Sequence, residues 1–182
     1  MTDICLPMPT AEEARAAFGV DFNPDKTLNG AIALAAAGDL AGPAVALMKA
    51  VFACRAADAR LREAMIVRTA VRLNCIYAVR ASTCIALNSG LSKTEVEALT
   101  ADDPVAGIDP DIVLIARMAD DIADRATFEA DFLEAAIERW GVDNTRKLIL
   151  MLSWFNLVNR YDSACGVSSD SDEKLARSSG PI

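Results

Sequence analysis

"LREAMIVRTAVRLNCIYAVRASTCIALNSGLSKTEVEAL", residues 61–99, reads as three helices separated by two breaks. Leu61, Met65, Val67, Ala70, Val71 and Leu73 form one broad apolar stripe at helical spacing, with Asp58 ahead of it as N-cap. Asn74 interrupts the stripe, and "CIYAVRASTCIALNSG" continues as helix to Gly90. Ser92 and Glu95, three residues apart, then make a capping box for the next helix. No stretch alternates with period two, so the class is all-α.

Outward from this centre the same punctuation recurs. Toward the C-terminus, "DDPVAGIDPD" is a turn-rich connector. Ile112, Ile115, Met118, Ala119 and Ile122 mark one helix face, with Asp120, Asp121 and Asp124 on the other. Thr127 is expected to cap "FEADFLEAAIERW", which Gly141 ends. Asp143 is expected to cap the last helix, the most apolar one, and Gly166 stops it. Being apolar nearly all round between Leu148 and Val158, that helix is expected at the centre of the core or at an interface.

Toward the N-terminus, Thr10 and Glu13 form a second capping box on a helix that Gly19 stops. An alanine-rich helix runs from about Leu28 to Gly38, and another opens at Pro43 and ends near Arg55. These divisions predict a bundle of about eight helices. They give an N-terminal helical arm over 1–40, a main domain over 41–167, and a flexible polar tail over 168–182.

Composition bounds the function. Of 182 residues 53% are apolar but only 5% aromatic, and alanine supplies much of the excess, which suits closely packed helices. So high an apolar content in a small domain predicts burial between subunits as well as within one. A net charge of −8 disfavours nucleic acid and anionic lipid as partners. The start "MTDICLPMPTAEE" has no basic or apolar leader region, and the longest charge-free apolar run, Leu148 to Val158, is about half a membrane span. A cytoplasmic protein is expected. With no histidine, imidazole-based metal catalysis and Ser-His or Cys-His pairs are excluded, and neither metal nor cofactor is expected.

Five cysteines (Cys5, Cys54, Cys75, Cys84, Cys165) have wide, irregular spacing, unlike a disulfide framework. If Asn74 is an N-cap, Cys75 lies in the first turn of its helix, where the macrodipole favours a thiolate. Cys75 and Ser82 share a face, with Ala78 between them. Cys84, nine residues from Cys75, points away and lies roughly 13 Å along the axis, beyond disulfide reach. A resolving thiol would have to come from Cys54, Cys165 or another subunit. Buried small hydrophobes are the plain alternative for Cys75 and Cys84. Glu63, in an apolar helix, would need a partner if buried, and Arg68 or Arg72 could serve. Residues 55–80 hold six arginines against Asp58 and Glu63, net +4, leaving −12 elsewhere. Those arginines would either bind an anionic ligand or pair with acidic helices; pairing is the preferred reading.

Residues 61–99, with "LILMLSWFNLVNRYDSACGV" as closing helix, resemble the carboxymuconolactone decarboxylase and alkylhydroperoxidase D-like family over roughly residues 40–167. The redox members carry Cys-x-x-Cys, then histidine after three more residues, and a glutamate twelve residues ahead of the first cysteine. They act as thiol peroxidases. Here Glu63 stands at the glutamate position and Cys75 at the first cysteine, while Ala78 replaces the second cysteine and Ser82 the histidine. The resemblance implies a helical homo-oligomer (dimer, trimer or hexamer). It also implies a peroxiredoxin-type antioxidant enzyme in which Cys75 reacts with peroxide, Glu63 assists and an external thiol reductant regenerates. The alternatives are a non-redox member acting on or binding a small carboxylated ligand, and a catalytically degenerate oligomer.

Overall fold

The computed structural model describes residues 5–177, and among them there are nine α-helices and no strand. They are α1 (Ala11–Phe18), α2 (Asn29–Ala33), α3 (Ala41–Ala53), α4 (Ala59–Arg72), α5 (Ile76–Asn88), α6 (Lys93–Thr100), α7 (Pro110–Arg125), α8 (Ala130–Cys165) and α9 (Asp172–Arg177). The expected caps form at α1, where Thr10 and Glu13 close a capping box, at α6 with Ser92 and Glu95, and at α4 with Asp58.

The centre of the bundle is α4, not the last helix. It packs against α5, α6, α7 and α8, and Ala64, Met65, Val67, Thr69 and Ala70 on it have no exposed surface. Arg68 is also fully buried, because its whole guanidinium is satisfied. It pairs with both oxygens of Asp120 on α7 at 2.6 and 2.8 Å and donates to the carbonyls of Leu99, Ala101 and Asp103. The closing helix α8 buries Leu148, Met151, Leu152 and Phe155 but leaves Leu150 and Leu157 exposed.

Two cap expectations change. Asn74 does not start α5. It sits in the left-handed region (φ 52°) after α4, with Asn74 N–H donating to Val71 O at 3.0 Å and Cys75 N–H to Ala70 O at 2.9 Å. That is a Schellman C-cap, so Cys75 becomes the N-cap of α5. Thr127 does not cap α8 either. The helix begins at Ala130, and the Glu129 N–H is held by the buried Asp121 carboxylate of α7 at 2.9 Å. Gly141 (φ 76°, ψ 161°) ends the first helical part of α8, as expected, and the Thr145 hydroxyl of the second part donates across the break to Ala136 O at 3.0 Å.

The outer segments pack against the bundle. Ala14, Phe18, Ala31, Leu34 and Ala35, from the segment read as an arm, belong to the main core. Residues 168–177, expected to be flexible, dock instead. Leu175 is buried against Leu28, Ala81 and Ile85, and Asp170 is 3% exposed. Long-range partners that tail composition does not reveal cause the difference. Asp170 accepts from Asn29 N, from the Tyr77 hydroxyl and from Lys174 Nζ. The rest of that tail, 178–182, and residues 1–4 of the arm lie outside the described residues.

Candidate functional site

Helices α2 to α5 and α8 enclose a cleft of about 640 Å³, open solvent at its mouth included. Three of the four positions singled out in the sequence line it: Glu63 from α4, and Ala78 and Ser82 from α5. Ala78 and Ser82, four residues apart, face the same way because one helical turn separates them. The fourth, Cys75, does not line the cleft. It is 1% exposed and packs with Ala70 and Ala78, against Tyr77 and Val79. Cys84 borders the apolar cluster under α9, and Cys5 is exposed.

Glu63 is 2% exposed, and burial pushes its carboxyl above the ordinary range against the opposing pull of Arg62. Its partner is this neighbour, Arg62, at 3.4 Å, rather than Arg68 or Arg72, which turn to the acids of α7. Three further arginines of the segment also form ion pairs. Arg60 meets Glu95 and Asp109, Arg72 meets Asp124, and Arg80 meets Asp172. Among the described residues no lysine or arginine lines the cleft. None of their Cys, Asp and Glu side chains converge as metal ligands.

Sequence reasoning missed the opposite wall. Gly30 of α2, Tyr77 of α5, and Trp154, Phe155, Asn159 and Asp162 of α8 all line the cleft. The Tyr77 hydroxyl accepts from Gly30 N–H at 2.7 Å and donates to Asp170 at 3.0 Å; burial pushes its ionisation far above the ordinary range. Asp162 is 6% exposed, and its Oδ1 is buried with no hydrogen-bond partner among the described residues. Burial, reinforced by the Asp170 charge, pushes its carboxyl up to about 7. A signal for this wall was present. Asn156, Asn159 and Asp162 recur every three residues along α8, a buried polar stripe that solvent exposure does not explain.

The arrangement is an apolar, aromatic cleft with two buried carboxyl groups whose neutral forms are favoured, beside a thiol shut out of it. Asp162, pushed up to about 7, can donate or accept a proton near neutral pH. No helix of the described residues is long and apolar enough to cross a membrane. No curated protein and no solved structure gives a significant match to the chain. Residues 39–120, which span α3 to α6 and most of α7 and include Glu63, Cys75, Ala78 and Ser82, match the carboxymuconolactone decarboxylase family. The resemblance read in the sequence is thereby supported over the segment that carries the cleft positions Glu63, Ala78 and Ser82.

Proposed function

We propose that this chain is a non-redox protein whose cleft binds a small, largely apolar molecule, with Glu63 as its acid–base group. The observation that carries the reading is the separation of Cys75 from the cleft: Glu63, Ala78 and Ser82 line it, whereas Cys75 is 1% exposed behind Ala78. A thiol peroxidase needs its sulfur open to peroxide and to the regenerating thiol. A carboxylated ligand would meet two acids in the cleft and no basic side chain to balance it.

The single-cysteine peroxidase is the competing reading, favoured by the contact of Cys75 with Ala78, one layer from the cleft. One experiment separates the two. The natural protein, given hydrogen peroxide and dithiothreitol, is expected to consume no more peroxide than Cys75→Ser. The small aromatic alcohol 2-phenylethanol should raise its melting temperature, and Ala78→Leu, which fills the cleft, should remove that shift. Peroxide turnover that depends on Cys75 would overturn the non-redox reading.

A further inference from the structure

The cleft is uneven in how its charges are met. Glu63 has Arg62 beside it at 3.4 Å. Asp162, on the far wall, has a buried Oδ1 with no partner, although the side chain is more than nine-tenths buried. A buried polar atom without a partner costs stability, and on a residue that lines a cleft it is a group that a ligand's donor can satisfy. Water could supply a donor, but the surrounding wall selects for more than water. Phe52, Tyr77, Trp154 and Phe155 line the same cleft, four of the ten aromatic residues in the chain. Ring faces of this kind attract cations, as Phe52 does Arg62 at 5.3 Å from its centroid, and among the described residues no lysine or arginine lines the cleft itself.

We propose that the cleft takes an arylalkyl amine, with its ammonium group on Asp162 and its apolar body among Phe52, Trp154 and Phe155. This rests on the reading of the cleft as a small-molecule site and names the class of molecule. An ammonium brings the donor that Asp162 lacks and turns an isolated buried acid into a charge-assisted pair. The raised ionisation of Asp162 agrees with this, since it reports an acid whose charge the protein alone leaves uncompensated.

The test is isothermal titration of the full chain with three probes of similar shape: 2-phenylethylamine, 2-phenylethanol and 3-phenylpropionate. At pH 8 the amine is expected to bind about tenfold or more tightly than the alcohol, the gain typical of a charged hydrogen bond. The carboxylate should bind no more tightly than the alcohol. In Asp162→Asn the amine-to-alcohol affinity ratio should fall to about one. Should that variant fail to fold, the comparison of probes on the natural protein still decides. Binding of the alcohol with no advantage for the amine would overturn the amine proposal and leave the cleft reading standing. So would tighter binding of the carboxylate, or an amine preference that survives Asp162→Asn. Absence of binding by all three probes would overturn both.

Discussion

Tyr77 and Asp170, 93 positions apart, are joined by a 3.0 Å hydrogen bond from the phenol to the carboxylate. The same phenol oxygen accepts the Gly30 N–H at 2.7 Å, and Asp170 also holds Asn29 N and Lys174. One small cluster thus fastens the start of α2, the first turn of α5 and the C-terminal segment to each other, directly behind the cleft.

Truncation after Val167 should therefore destabilise the protein. It exposes the surface that Leu175 covers and leaves the Asn29 amide and the Tyr77 hydroxyl without Asp170. The combined loss is about 3 kcal/mol or more, or roughly 6–12 °C in melting temperature for a chain of this size. Asp170→Ala alone should reproduce much of it. A truncated protein that melts with the natural one would show that the docking contributes nothing.

At Gly30 the chain has no room for a side chain. A Cβ there would fall 2.5 Å from Asp162 Oδ2 and 2.8 Å from Tyr77 Cε1. Gly30→Ala is expected to cost about 1–3 kcal/mol through overpacking and to weaken 2-phenylethanol binding at the same time, because both displaced groups line the cleft. Unchanged binding in a folded Gly30→Ala protein would show that Tyr77 and Asp162 yield without disturbing the cleft.

Arg68→Met should cost about 3–5 kcal/mol in urea unfolding. The loss comes from Asp120, 19% exposed at its side chain, and from the carbonyls of Leu99, Ala101 and Asp103, which lose their donor. Arg60→Met, at a pair that is more than one-third exposed on the arginine side, should cost no more than about 1 kcal/mol. Equal effects at the two sites would contradict the difference in burial.

Local signals carried most of the fold. Ser92 with Glu95, Thr10 with Glu13, and Asp58 acted as caps because each cap is completed within four residues. Asn74 was ambiguous, since asparagine suits both an N-cap and a left-handed C-cap; the bonds to Val71 and Ala70 decide for the second. The site was half legible. Glu63, Ala78 and Ser82 lie on adjoining helices and are the positions that the family resemblance implies. Gly30, Tyr77 and Asp162 meet only through packing of distant segments, and the burial of Cys75 depends on Ala70 and Ala78 packing over it. Asp170 had no local pattern at all.

Thiol accessibility should follow burial. Iodoacetamide followed by peptide mass spectrometry is expected to label Cys5 first, Cys54, Cys84 and Cys165 more slowly, and Cys75 last. Cys75 should react only on unfolding, since it is 1% exposed. Labelling of Cys75 as fast as Cys5 in the folded protein would mean that the first turn of α5 opens readily, and would return Cys75 to the list of working groups.

The clearest pH signature should come from Asp162. Its carboxyl moves from the ordinary 3.8 to about 7 on folding, so the folded chain holds this proton more tightly than the unfolded one. The stabilisation is fully present below about pH 3.8 and is lost as pH rises through about 7. The charges and hydroxyls that sense it are Asp170, Tyr77 and Tyr161, all of which disfavour a further negative charge here or are disfavoured by it. Other acids titrate in the same range, so the difference between natural protein and Asp162→Asn isolates the effect. Asparagine keeps the size and removes the charge. At about pH 3.5, below the unfolded value, the two should melt within a degree or two of each other. At pH 8 the variant should be more stable by an amount on the order of 2–4 kcal/mol, set by a shift of about three pH units at about 1.4 kcal/mol each. If Asp162→Asn gave the same difference in melting temperature at both pH values, Asp162 would have to be ionised in the folded protein throughout, with a partner that satisfies its charge.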